Sequence, residues 1–238
     1  MLFSSPLIPG TLAKRYKRFL ADVVLETGEM VTVHVANPGA MIGLDRPLSP
    51  VWLSKSDNAL RKLAYTWELI EVDLGSGPEL VGVNTSQPNT LVAEALDAGL
   101  IPELRNYASV RREVKYGSNS RVDFLLEDAT RRPCYLEVKN VHLMRRPGLA
   151  EFPDCVTDRG AKHLDELSVV LATGARAVLI FVIQIQSASR FTLARDIDPD
   201  YAQAFERARA KGVQMLAWHC TVNVGGIEMA APVEIVDA

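Results

Sequence analysis

Apolar and polar residues alternate along this chain with two different periods. From Phe19 to Asn84 the period is two. "FLADVVLE" (Phe19–Glu26) and "MVTVHVA" (Met30–Ala36) are β-branched runs joined by "TGE", a hairpin turn. "PVWLSKS", "AYTWELIEVDL" and "ELVGVN" continue the pattern, separated by "DNALRK" and "GSGP". Short strands with Gly, Pro and Asn punctuation predict a small barrel, for which a five-stranded OB-like barrel is a good candidate.

Beyond Asn84 a helical period enters. "NTLVAEALDAG" offers Asn89 as an N-cap, apolar spacing at Leu91, Val92, Ala95 and Leu96, and Gly99 as a stop. Three strand-like runs follow, "ASVRREVKY", "SRVDFLLED" and "CYLEVKNVHLM", then a Pro/Gly-rich loop. A helix is predicted from about Thr157 to Ala172 and a buried strand at Ala177–Ile185. A helix in "DPDYAQAFERARAKG" and a strand in "VQMLAWHCTV" complete the order. The fold class expected is α/β (α+β) in two domains: a small β-barrel over 1–83, then a mixed sheet flanked by helices over 84–238.

Composition narrows the class. The 238 residues are 48% hydrophobic and 23% charged, ordinary for a globular protein. "MLFSSPLIPG" makes a poor signal peptide, and "AVLIFVI" falls far short of a membrane span. Three widely spaced cysteines, Cys134, Cys155 and Cys220, argue against a disulfide framework or a structural zinc site and for a reducing cytoplasm. The net charge is −3 and neither half is basic, so any nucleic-acid surface must be a local patch.

The candidate chemistry lies in "RVDFLLEDATRRPCYLEVKNVH" (Arg121–His142). Glu137 and Lys139 are two apart on one strand and share a face. A turn centred near Thr130 makes Asp123 the cross-strand partner of Glu137, with Lys139 one diagonal step away. Opposed carboxylates repel unless a cation lies between them. A hard divalent ion would take oxygens from both and leave positions for a phosphate, and Lys139 could then orient water or stabilise charge on phosphorus. The competing reading is a solvated strand face with a weak ion pair. Glu94, on the preceding helix, is either a third oxygen ligand or an exposed helical residue.

Other cations have two readings each. Lys14, Arg15, Lys17 and Arg18 surround Tyr16 before the barrel, as in a single-strand binder, or they form a basic surface turn. Arg159 and Lys162 share a helical face near an N-terminus that favours anions, or they are solvated charge. Arg121 reaches a phosphate or caps the hairpin edge. His163 is left outside the catalytic set, and His34 and His219 lack ligand spacing.

Asp, then Glu-x-Lys after a hairpin, with an upstream helical Glu, resembles the PD-(D/E)XK nuclease superfamily, although Val122 stands where the superfamily name has Pro. A longer resemblance spans nearly the whole chain. "KRYKRFLADV", "HVANPGAM", "VNTSQPN", "EVKYGSNSRVDFLL", "CYLEVKNV" and "FPDCVTDRGAKHLDEL" are similar to the sugar fermentation stimulation protein family of bacteria and archaea. Pro38 stands where many members have Thr.

That resemblance implies an OB-like domain followed by a PD-(D/E)XK nuclease-like domain. It also implies DNA binding and regulation of sugar, particularly maltose, metabolism. Asp123, Glu137 and Lys139 align with the nuclease motif, and Glu94 is carried over with them. The expected cofactor is Mg2+ or Mn2+. The expected partner is DNA, with no membrane, and a homodimer is left open. A metal-dependent endonuclease is the alternative function. A sugar-binding module has little support, with 7% aromatic residues and no Trp cluster.

Overall fold

Strands β1 (Ile8–Tyr16), β2 (Leu20–Leu25), β3 (Met30–His34), β4 (Pro50–Lys55), β5 (Tyr65–Asp73) and β6 (Pro78–Gly82) form one sheet in the order β3-β2-β1-β4-β5-β6. These come from a computed structural model that describes residues 1–117 and 120–237. His34 also pairs with Thr66, joining β3 to β5 and closing the first five strands into the expected OB barrel. Alternation fills its interior: Ala21, Val23, Val31, Val33, Val51, Leu53 and Trp67 are all buried. The first strand was not expected. Pro9, Gly10 and the cations of "AKRY" hide its period, and Leu12 is its one fully buried residue.

The second unit runs α1 (Gln87–Asp97), β7 (Ser109–Tyr116), β8 (Ser120–Asp128), β9 (Arg131–Val141), β10 (Leu143–Arg146), β11 (Leu149–Phe152), α2 (Asp158–Val170), β12 (Arg176–Ile183), β13 (Arg190–Leu193), α3 (Pro199–Lys211), β14 (Gln214–Asn223), β15 (Gly226–Pro232) and β16 (Glu234–Ile235). Its main sheet has the order β15-β14-β12-β9-β8-β7 and is mixed: β9, β12 and β14 are parallel, the rest antiparallel. Leu91, Val92 and Ala95 of α1 pack with Leu136 and Val138, whereas Leu164 and Leu167 of α2 join Leu179 and Phe181 in a different cluster. Helices thus flank the sheet as expected. A four-stranded sheet, β10-β11-β13-β16, was not foreseen, because its first hairpin lies in the supposed Pro/Gly loop.

The helix starts follow local chemistry. Thr157 caps α2 by accepting from Gly160 N at 3.1 Å, and Asp198 caps α3 by accepting from Tyr201 N at 2.9 Å. The expected Asn89 cap is displaced: Ser86 is the cap position, Pro88 enters the first turn, and Asn89 is already helical.

The two units are tied closely. Buried Glu68 of β5 accepts from Ser54 at 2.6 Å, Asn84 at 2.8 Å and Gln87 at 3.1 Å, anchoring the start of α1 to the barrel. Gly82 N donates to Gln184 O at 3.1 Å, and a Cβ at Gly82 would stand 2.2 Å from Gln184 Oε1, so any larger residue there would displace the Gln184 side chain. No helix of the described residues is long and apolar enough to cross a membrane.

Candidate metal and phosphate site

The β8–β9 pairs are Phe124↔Leu136, Leu125↔Tyr135 and Leu126↔Cys134. Continuing that register sets Asp123 opposite Glu137. Beyond Phe124 the strands part, and Asp123 takes the place of the ladder: its Oδ2 accepts from Val138 N at 2.7 Å. Its Oδ1 accepts from Asn89 Nδ2 at 2.8 Å. Both oxygens are thereby fixed.

Glu137 sits in a central strand and is 3% exposed. Its Oε1 accepts from Lys139 Nζ at 2.7 Å and contacts His163 Nδ1. Arg159 Nε donates to His163 Nε2 at 3.3 Å, which makes Nδ1–H the donor toward Glu137. The other oxygen, Glu137 Oε2, is buried and has no hydrogen-bond partner among the described residues.

The two carboxyls are pushed apart in acidity. Burial, then the Glu137 charge, raises Asp123 above its ordinary value, against the hydrogen bonds from Val138 and Asn89. Burial also acts to raise Glu137, but the Lys139 charge and the His163 hydrogen bond outweigh it, leaving Glu137 below its ordinary value. The sheet thus holds one readily ionised carboxylate beside one that is harder to ionise.

These groups line a cavity of about 670 Å³ together with Arg121, Arg159, Lys162 and Glu113. Three expected phosphate contacts are therefore brought to the acidic pair. Lys162 also stands 3.8 Å from Glu166. Lys115, directly opposite Arg121 in the β7–β8 ladder, adds an unforeseen cation beside the cavity.

The structure does not bring Glu94 there. It is half exposed and pairs with the Met1 α-ammonium at 2.6 Å, because the buried stripe of α1 is Pro88, Leu91, Val92 and Ala95. Asn89, at the start of the helix, makes the contact instead. A third carboxylate at the cavity comes from Glu113. Flanking pairs Arg112↔Phe124 and Val114↔Val122 put it level with Asp123, in a left-handed conformation of φ +54°.

The basic run is also redistributed. Arg15 is a strut: its guanidinium donates to the carbonyls of Ala40, Arg18, Asn37 and Gly39 at 2.8–3.2 Å. Lys14 pairs with Asp22 at 3.6 Å and Tyr16 donates to Asp22 at 2.9 Å. Lys17 and Arg18 are exposed at the following turn. These contacts divide the run: Arg15 is engaged within the protein, whereas Lys14, Lys17 and Arg18 are exposed.

Among the described residues, no group of three His, Cys, Asp or Glu side chains could hold an ion. Asp123 and Glu137 nevertheless fit a hard divalent cation that takes its remaining oxygens from water or phosphate, since Glu137 Oε2 has no other partner among the described residues. The residue left aside in the sequence reading was His163. Its spacing of four from Arg159 on α2 was the available signal.

Comparison with known proteins agrees with this architecture. Residues 13–83 match the family description "SfsA N-terminal OB domain", and residues 86–226 match "Sugar fermentation stimulation protein RE domain". A sugar fermentation stimulation protein homolog of Azorhizobium caulinodans is 58% identical over 98% of both chains. One from Rhodospirillum centenum is 56% identical over 95% of this chain and 96% of its own. The structure of Pyrococcus furiosus SfsA in complex with Ca2+ has a TM-score of 0.88 over 100% of this chain and 98% of its own, at 24% identity, a likeness of fold. The "SQPN" segment anchored to Glu68, the paired acids and the Thr157-capped helix lie within those matched spans, and the chain belongs to the sugar fermentation stimulation protein family.

Proposed function

We propose that this chain is a DNA-binding protein in which Asp123 and Glu137 hold a magnesium or manganese ion against a backbone phosphate. The observation carrying this reading is the buried Glu137 Oε2, unpartnered among the described residues, in a cavity also lined by Asp123. Such an orphaned acceptor costs about 1–3 kcal/mol or more, and a bound cation would remove that cost. The Ca2+ of the Pyrococcus furiosus relative supports an oxygen-ligated divalent site. When bound, the ion would offset the two carboxylates and polarise a phosphate oxygen. Arg121, Arg159 and Lys162 supply the remaining positive charge around that phosphate. Through such DNA contact the protein would regulate sugar, particularly maltose, metabolism.

A second reading, a metal-dependent endonuclease, is favoured by Lys139. Its ammonium lies 2.7 Å from Glu137 in the same cavity, where it could stabilise charge developing on a phosphate. The test is incubation with supercoiled and branched DNA in Mg2+, Mn2+ or Ca2+, following binding and cutting separately. Metal-dependent binding lost in Asp123→Asn and Glu137→Gln supports the cation site. Cutting that disappears in Lys139→Met while binding persists establishes the nuclease. Binding that ignores both metal and these substitutions sinks the cation-site proposal.

A further inference from the structure

A second cavity, of about 300 Å³, opens where the barrel meets the larger unit. Thr85, Asn140 and Thr157 line both this cavity and the acidic one, so the two adjoin as a single cleft. Along one side runs a chain of polar side chains. Gln184 Nε2 donates to Asn140 Oδ1 at 2.6 Å, and Asn140 Nδ2 donates to His142 Nδ1 at 2.7 Å. That leaves His142 Nε2–H for Asp154 Oδ2 at 3.1 Å, which also accepts from Met41 N at 2.8 Å. Asp154 is thus held as an ionised acceptor, and the Cys155 thiol also contacts it.

Part of the remaining wall is apolar. Pro38 and Phe152 face the cavity, and Val156 stands at its edge, 66% exposed. A Cβ at Gly39 would lie 2.4 Å from Asp154 Oδ2, so the wall beside the carboxylate is kept to bare backbone. Arg18 lies exposed at the rim. Flat apolar walls, one acceptor edge and a rim cation are what a nucleobase carrying an amino group and joined to a phosphate requires.

Resting on the DNA-binding reading above, we infer that this cavity receives one unpaired base of a DNA strand whose adjoining phosphate lies in the acidic cavity. The ring stacks among Pro38, Phe152 and Val156, its amino group donates to Asp154, and Arg18 holds a neighbouring phosphate. The favoured substrate is accordingly single-stranded or locally unpaired DNA rather than continuous duplex.

The test titrates the full chain in Ca2+ with a thymidine oligonucleotide carrying one 2-aminopurine. Three comparisons accompany it: the same strand with an abasic residue at that position, its fully paired duplex, and 2-aminopurine deoxynucleoside monophosphate. The fluorescence of 2-aminopurine should change on binding, and the abasic strand and duplex should bind about tenfold more weakly. Val156→Asp, an exposed change, should erase that preference. Arg18→Ala should weaken the intact and abasic strands alike.

Equal affinity for intact and abasic strands, with unchanged fluorescence, overturns the base pocket and leaves DNA binding standing. A free nucleotide that binds as tightly as the strand overturns the strand assignment. A preference that persists in Asp123→Asn upholds the pocket even if the cation site fails. No binding to any DNA removes both proposals.

Discussion

Asn89 Nδ2 donates to Asp123 Oδ1 at 2.8 Å, coupling the first turn of α1 to the acidic cavity. The bond favours the ionised form of a carboxyl that burial and Glu137 make harder to ionise. Asn89→Ala should therefore weaken Ca2+ or Mn2+ binding by about 10-fold, a usual effect of losing a partner behind a metal ligand. Glu94→Gln should leave it unchanged, since Glu94 is engaged with Met1. Calorimetric titration of both variants decides, and the reverse ranking would return Glu94 to the cation site.

Arg15 and Arg18 lie three residues apart and should behave in opposite ways. Arg15 holds four backbone carbonyls, and burial lowers its pKa from the ordinary value. Arg15→Ala should lower unfolding stability by about 2 kcal/mol through lost charge-assisted hydrogen bonds. Lys17→Ala with Arg18→Ala should leave stability within about 0.5 kcal/mol. The double change should also reduce the salt dependence of DNA binding by roughly two phosphate contacts. Urea unfolding and binding at several salt concentrations separate these outcomes.

Lys115 and Arg121 face each other across the β7–β8 ladder, a like-charge pair that costs stability unless an anion lies between them. The double replacement by Gln should raise the urea midpoint slightly, by the equivalent of about 0.2–1 kcal/mol. The same change should weaken DNA binding at low salt. Tighter binding in the variant would show that this edge does not meet phosphate.

The cross-strand placement of Asp123 and Glu137 was legible because two local facts determine it: the period of a strand and the centre of a turn. The third acid was not. Glu94 fits the helical pattern, but which neighbour an exposed helical side chain meets depends on where the N-terminus returns, and that is a tertiary fact. Glu113 was hidden because its φ of +54° departs from strand geometry. The β10–β11 hairpin escaped because it is short and its turn, Pro147-Gly148, gave the segment the look of a loop. That dipeptide is instead the turn chemistry, with Gly148 at φ +75°. Arg15 misled for another reason, since a guanidinium that satisfies carbonyls has the same sequence signature as one awaiting phosphate.

The junction between the units should be acid-labile through Asp154. Its side chain is 12% exposed, and it joins His142 of the larger unit to Met41 N of the barrel. Burial acts to raise its pKa, but the His142 hydrogen bond, with the Met41 N–H, prevails and holds it at about 2 against 3.8 ordinarily. A carboxyl depressed in the folded state stabilises fully above its unfolded pKa, and that contribution fades as pH falls through the folded value. The expected loss is about 2 kcal/mol between roughly pH 4 and pH 2. Asp154→Asn should begin less stable at neutral pH by a similar amount and lose less on acidification, because the titrating group is gone. Urea midpoints for both proteins from pH 7 down to pH 2 measure this difference. Parallel curves would show that the hydrogen bonds to Asp154 at the junction carry no pH-dependent stability.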